Sequence, residues 1–481
     1  MKRGAPAIAV LLLLIGVLSM VGGLIWEGTH SRPDRSATLP DSKKDAPPKG
    51  SRLNTAMLSA RRAPDALARP AAQRRFTAKM DAALANAASS RCVGVFDGKA
   101  TLYGNNLDAP LPVASNLKLV TAYVALQTMG PDTRMVNRFV ATEDPSDGVI
   151  NGDLWFVGGG DPVIDTATYR STFPQPRPST TLESIADLLV AKGVKTINGS
   201  IGVDESRYDT ERSRPSWPQR LRDQHQAGPL SAAAVNDSRA YDPVLRDGKA
   251  LDADNPPMYA GAALTALLVQ RGVAITGLPK AERVPEQTFP LLEVESLPVR
   301  EIIAEMLTFS DNNTAELLLK EIGFRVKGQG TSEAGLAVEH DVLTSKSLPL
   351  DGTQLLDGSG LDPKNRVTCQ LLAEILASDG PLGAIAAGLP TAGMTGTLAD
   401  RFKHTPLEGK MRAKTGSLDS VTALSGWITT PKGSLLSFTF VLTRDSKLTA
   451  ADLEAIKQAS LTLASYPEAV DATQLKPKLV S

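Results

Sequence analysis

The chain has 481 residues, of which 42% are hydrophobic and 22% charged, and its 52 Lys+Arg are balanced by 52 Asp+Glu. This is globular composition, which excludes a wholly disordered, collagenous or coiled-coil protein. The length allows two to four domains, or one large domain carrying an insertion, and two cysteines exclude a disulfide scaffold and every multi-Cys zinc motif.

From Ala5 to Trp26 there is no charge, and a helix of that length spans about 33 Å, enough to cross a bilayer core. Lys2 and Arg3 precede it, so the positive-inside rule sends the rest of the chain outside. No A-x-A site follows closely, and the expectation is an uncleaved single-pass anchor in the cell membrane, with a cleaved signal peptide as the alternative. Residues 27–76 read as a flexible linker rich in Pro, Ser and Ala, and residues 27–79 hold 12 Lys/Arg against 5 Asp/Glu. The remainder is therefore net acidic, which argues against nucleic acid as a partner of the folded part.

An amphipathic helix is predicted from Thr77 to about Ala88, then two strands around the turn Asp97-Gly98. Ser115 to Gly130 reads as a helix with Ser115 at its start. Residues 139–295 alternate short strands with two helical stretches and form a β-rich insertion, splitting the main domain into 77–138 and 296–481. Helical patterns return at 298–323 and 367–378. The tail reads as strand Val421–Thr429, a turn at Pro431-Lys432-Gly433, strand Leu435–Thr443 and a helix from Thr449 to Ser465. The class is α+β, an antiparallel sheet covered by helices. Cys92 and Cys369 are read as buried free thiols, with pairing in an oxidising compartment as the alternative.

Three short motifs carry chemistry. Ser115 and Lys118 form the one Ser-x-x-Lys of the chain, at a helix start, where residues three apart share a face. A serine hydroxyl becomes nucleophilic when a neighbouring base takes its proton, and a lysine can do so if desolvation or nearby positive charge lowers its pKa. Alone, the motif reads first as an N-cap serine beside a solvated lysine. Ser310-Asp311-Asn312 interrupts a helical region and by itself reads as a helix cap. Lys414-Thr415-Gly416 precedes the terminal hairpin, where Gly416 would let a substrate backbone approach an edge strand.

Taken together, in this order, the three motifs resemble the signature of penicillin-binding proteins and serine β-lactamases. The long gap from Lys118 to Ser310, with ASNLKL, GGGDP at 158–162, SDNNTAELLL, DGSGL at 357–361, GMTGTL at 393–398 and AKTGSL at 413–418, is similar to the low-molecular-mass class C penicillin-binding proteins. These are the S13 family of D-alanyl-D-alanine carboxypeptidases and endopeptidases, and the likeness covers about residues 80–470. The resemblance implies the penicillin-binding-protein fold with an insertion, peptidoglycan stem peptides as substrates, β-lactams as inhibitors, and no cofactor or metal. It implies Ser115 as nucleophile, Lys118 as base, Ser310 as relay of a proton toward the leaving amine, held close by Lys118 and Lys414, and Asn312 as a partner of the substrate amide. Backbone N–H groups of Ser115 and Ser417 would form the oxyanion hole, and Lys414, Thr415 and Ser417 would hold the terminal carboxylate. Asp204, in VDESRYD beside Tyr208, becomes a candidate for the amine of a meso-diaminopimelate side chain. Asp357 and Ser359 are read as structural, and Asp362-Pro363 replaces the usual Ser-Arg, with Arg366 three positions later.

A serine β-lactamase with the same acylation apparatus, or a non-enzymatic wall-binding scaffold, remain as rival readings. The histidines His30, His225, His340 and His404 lack metal-ligand spacing, no Gly-x-Ser-x-Gly elbow is present, and Gly158-Gly159-Gly160 lacks a Walker lysine.

Overall fold

A computed structural model describes residues 65–240 and 251–468. The apolar segment 5–26 and the linker up to residue 64 lie outside these, and among the described residues no helix is long and apolar enough to cross a membrane. The first described helix, α1, runs Asp65–Leu84 and so begins well before Thr77, inside the stretch read as linker. Ala72, Phe76, Met80 and Leu84 recur every fourth residue and are buried along one face. Pro70 inside the helix and the polar run Gln73–Arg75 hide that stripe from a sequence reading.

β1 (Arg91–Asp97) and β2 (Ala100–Asn105) form the expected hairpin, with Gly98 in the left-handed region at φ 59°. A 3-10 turn, Ala114–Leu117, leads into α2 (Lys118–Met129), which Gly130 ends. The insertion then departs. Its mixed sheet is built on β3 (Val136–Ala141), β4 (Leu154–Val157), β5 (Ile201–Asp204), the two-residue β6 (Lys280–Ala281) and β7 (Phe289–Glu295), in the order β6-β5-β4-β3-β7. The helices α3 (Leu182–Ala191) and α4 (Pro256–Gln270) cover it, and Phe139 stacks on Phe156 in its core.

The chain returns through α5 (Val299–Phe309), α6 (Asn312–Lys327), α7 (Ser332–Ser345) and α8 (Cys369–Asp379). It ends in β8 (Met411–Leu418), β9 (Val421–Thr429), β10 (Leu435–Thr443) and α9 (Ala450–Leu463). The main sheet has the antiparallel order β8-β9-β10-β1-β2. Alternation along each strand serves two cores: Val93, Leu424 and Phe440 face α1 and α9, while Cys92, Ala423 and Val441 face α2, α5 and α8. The α+β class and the helices on both faces are as expected. Among the described residues the first and last strands, β1 and β10, thus pair at the middle of the sheet, and β8, carrying Lys414, is an edge. Cys92 and Cys369 are joined in a disulfide, against the expectation of free thiols: β1 and the first residue of α8 meet across the sheet with Cα atoms 5.9 Å apart, within bonding range.

Candidate active site

The turn that carries Ser115 is held from three sides. Ala114 takes φ 48°, and Gly360 packs so closely that a Cβ there would meet the Ala114 carbonyl oxygen at 2.0 Å. On the strand side, a Cβ on Gly416 would meet the Val113 carbonyl oxygen at 2.5 Å. Gly416 is therefore needed by the Ser115 turn itself, which presses on β8, and not only by an approaching substrate. Asn116, fully buried, donates from Nδ2 to Ser425 Oγ on β9 at 2.8 Å. Ser115 thus sits in a 3-10 turn, with α2 starting three residues later at Lys118, and no side chain caps that turn.

One helical turn on, the Lys118 ammonium is completely buried. Its Nζ lies 3.1 Å from Ser115 Oγ, 2.6 Å from Asn312 Oδ1 and 2.8 Å from the Ser359 carbonyl oxygen. Burial lowers its pKa to about 8, although the carboxylates of Asp311, Glu316 and Asp357 pull the other way. Lys414, equally buried, donates to Ser310 Oγ and to the Thr415 carbonyl oxygen, both at 2.8 Å. Desolvation and the neighbouring Lys118 hold it well below the ordinary lysine value.

Ser310 closes α5 in the left-handed conformation at φ 60°, ψ 38°, and Asp311 caps α6 by accepting from the Thr314 amide at 2.9 Å. The cap reading of Ser-Asp-Asn holds, and the turn it fixes aims Ser310 at Lys414 and Asn312 at Lys118. The DGSGL loop is structural as expected. Glu316 Oε1 accepts from the amides of Gly358 and Ser359, and Asp357 accepts from Gly360, Asp362, Asn365 and Trp217 Nε1. These bonds point the Ser359 carbonyl at Lys118.

A cavity of ≈480 Å³ opens onto Ser115, lined by Ser310, Asn312, Thr415 and Ser417. The insertion adds Arg220 and Gln226 to the lining; Arg220 pairs with Asp419 at 3.3 Å, and the Gln226 carbonyl accepts from Asn312 Nδ2 at 2.6 Å. Neither residue stands in a motif, so sequence reasoning had no signal for them. GMTGTL also gains a contact, since Thr397 Oγ1 accepts from Thr415 Oγ1 at 2.9 Å.

Asp204 is not part of this cleft. It lines a different cavity of ≈490 Å³ in the insertion, and its nearly buried carboxylate accepts from the amides of Ser206 at 2.7 Å and Val284 at 2.9 Å. Two of its acceptor positions are thus taken by backbone at the end of β5. Tyr208 is buried and donates to Glu321. Arg366 donates to the carbonyls of Pro363 and Asn365 within its own loop.

A serine paired with a buried lysine, a second lysine on an edge strand and a Ser-x-Asn turn between them define a serine hydrolase of the penicillin-binding class. The fold is shared with penicillin binding protein 4 (dacB) from Haemophilus influenzae, at TM-score 0.65 and 20% identity over 80% of this chain and 99% of that one. It is also shared with Bd3459, a predatory peptidoglycan endopeptidase from Bdellovibrio bacteriovorus, at TM-score 0.51 and 18% identity over 79% and 91%. Among curated relatives, Carboxypeptidase DacB of Mycolicibacterium smegmatis is 28% identical over 91% of this chain and 92% of its own. The D-alanyl-D-alanine carboxypeptidase of Actinomadura sp. (strain R39) is 27% identical over 69% and 74%. The chain belongs to the D-Ala-D-Ala carboxypeptidase 3 (S13) family, whose model matches residues 76–250 and 242–465, and is a serine-type D,D-peptidase.

Proposed function

We propose that the enzyme cleaves the D-Ala-D-Ala bond of peptidoglycan stem peptides through an acyl-enzyme on Ser115. The observation that carries this reading is the 3.1 Å approach of Lys118 Nζ to Ser115 Oγ in a site dry enough to leave the amine a base near neutral pH. Lys118 takes the hydroxyl proton as Oγ attacks the carbonyl carbon of the penultimate D-Ala. The amides of Ser115 and Ser417 receive the developing oxyanion, each contributing about 3 kcal/mol. The C–N bond then breaks, and the departing amine takes, through Ser310, the proton that Lys118 removed from Ser115, so that Lys118 is a free base again; Lys414 holds Ser310 in place for this transfer. Lys414, Thr415 and Ser417 hold the terminal carboxylate while Asn312 orients the peptide. Water, deprotonated by the same base, releases the acyl chain and restores Ser115.

A β-lactam presents the same acyl carbon, but its amine stays tethered after ring opening, which obstructs the water and leaves Ser115 blocked. We further place the enzyme outside the cytoplasm, held in the cell membrane by residues 5–26. The Cys92–Cys369 bond supports the extracytoplasmic placement, because such bonds persist in oxidising compartments.

The test is product analysis by mass spectrometry, with the full-length protein given a stem pentapeptide and a cross-linked dimer. Loss of terminal D-Ala or of the cross-link is expected, and Ser115→Ala is expected to keep its fold and neither hydrolyse the peptides nor bind a fluorescent penicillin covalently. Undiminished turnover by that variant would overturn the nucleophile. Rapid, repeated penicillin hydrolysis would favour a β-lactamase, and an unlabelled wild type a scaffold.

A further inference from the structure

Ser310 holds a left-handed conformation without being glycine, a state that costs about 1 kcal/mol or more and persists only where the surroundings over-determine it. The surroundings include an apparent liability. Glu305 on α5 and Asp311 at the start of α6 flank the turn with side chains only 4% and 10% exposed. Burial raises the Glu305 carboxyl well above its usual range, and the Asp311 charge adds to this. One guanidinium answers both: Arg177 Nη1 donates to Glu305 Oε1 at 3.2 Å and to Asp311 Oδ2 at 3.0 Å. Asp237, Arg239, Tyr169 and Lys118 also face this group, and of these Tyr169 donates to Asp237 at 2.7 Å.

Arg177 comes from the insertion, in the stretch Phe173-Pro174-Gln175-Pro176-Arg177-Pro178. Alternate prolines fix φ at three of its positions and so stiffen the segment. With period two, the prolines are exposed while Phe173, Gln175 and Arg177 turn inward. The Arg177 guanidinium lies over the rings of Phe173, at 3.7 Å, and Phe309, at 4.7 Å, the latter being the residue before Ser310. Two residues earlier, Gln175 Oε1 accepts from the Gly396 amide at 2.8 Å. Gly396 precedes Thr397, the partner of Thr415 on β8. A single segment of the insertion therefore touches the supports of both the Ser310 turn and the Lys414 strand.

We propose that Phe173–Arg177 is a brace that sets the Ser310–Asn312 turn in register with Lys414–Gly416, with Arg177 and Gln175 as positioning residues, so that the insertion is part of the acylating apparatus. The proposal rests on the assignment of Ser115, Ser310 and Lys414 above. Proper spacing matters because a displacement of about 1 Å at a reacting group costs on the order of 100-fold in rate.

The experiment separates the acylation rate constant from the affinity of the preceding non-covalent complex, using a fluorescent penicillin and stopped flow. Because Arg177→Ala removes the one guanidinium that bonds both buried carboxylates and can unfold the protein, the variants are Arg177→Lys, which keeps the charge, and Gln175→Ala, which alters no charge. Expected are acylation constants lower by about tenfold for Arg177→Lys and about threefold for Gln175→Ala, with affinity unchanged. The thermal midpoint is expected to stay within about 3 °C of wild type in both. Unchanged acylation constants, a loss confined to affinity, or a loss that tracks a falling midpoint overturns the brace. Ser115→Ala is run in parallel: covalent labelling of that variant would mean that the underlying catalytic assignment fails, whatever the brace variants do.

Discussion

At Lys118 the protein sets desolvation against three carboxylates, and desolvation wins. The amine is protonated below about pH 8 and free above it. A base must be unprotonated to act, so acylation of Ser115 by a β-lactam is expected to rise with pH through a midpoint near 8 and then level. At pH 6 the rate should be about 100-fold below the plateau, since each unit below the pKa removes about tenfold of the free base. Rates measured from pH 6 to 9.5 in a constant-ionic-strength buffer series test this, and a flat profile would remove Lys118 from the role of base. Lys414 is held well below the ordinary lysine value by its own burial and, after that, by the neighbouring Lys118 charge.

Elements matter here through the surfaces they press on the Ser115 turn. β8 meets it at Gly416, the DGSGL loop at Gly360, and in both places the missing Cβ is what permits the contact. Gly416→Ala would put a methyl group 2.5 Å from the Val113 carbonyl oxygen, and neither strand nor turn can yield without moving Ser115 relative to Lys414. Acylation is expected to fall by at least about tenfold while the far-ultraviolet circular dichroism is unchanged. Normal acylation by that variant would show that the strand and the turn can separate freely. Glycines do similar service between α6 and α7. A Cβ on Gly323 would meet the Gly335 amide nitrogen at 2.7 Å, and one on Gly335 the Leu319 carbonyl oxygen at 2.1 Å, so these two helices cross in close contact.

Across the whole molecule, one covalent tie links the beginning of the main domain to its second part. Cys92 and Cys369 are separated by 277 positions, and the loop they close contains the entire insertion. Closing so long a loop restricts the unfolded chain, and the double variant Cys92→Ser/Cys369→Ser is expected to lose about 2–4 kcal/mol of stability. Denaturant titrations of wild type and variant measure it. The variant should respond identically with and without reductant, whereas an unchanged midpoint would mean the tie contributes nothing. Both cysteines are fully buried, so reduction of the wild type should need prior unfolding.

What the sequence determined by itself was local or chemical. The hairpin at Asp97-Gly98, the helix ending at Gly130, the helix capped by Thr449 and the strands of the tail were legible because period and punctuation act over a few residues. Ser115, Lys118, Ser310, Asn312 and Lys414 were legible because few residue types can activate a hydroxyl, and their order is informative. Helix α7 was not read, since Gly335 in its interior weakens the helical signal that its packing requires. Only the tertiary structure could decide the rest. That Asp204 accepts from the amides of Ser206 and Val284 follows from where β5 places it. The disulfide, Arg220 at the cleft, and Arg177 across 134 positions from Asp311 depend on contacts between segments remote in the chain. Such contacts leave no period in either segment, because the partner that explains each residue is fixed by how the sheet and the insertion pack together.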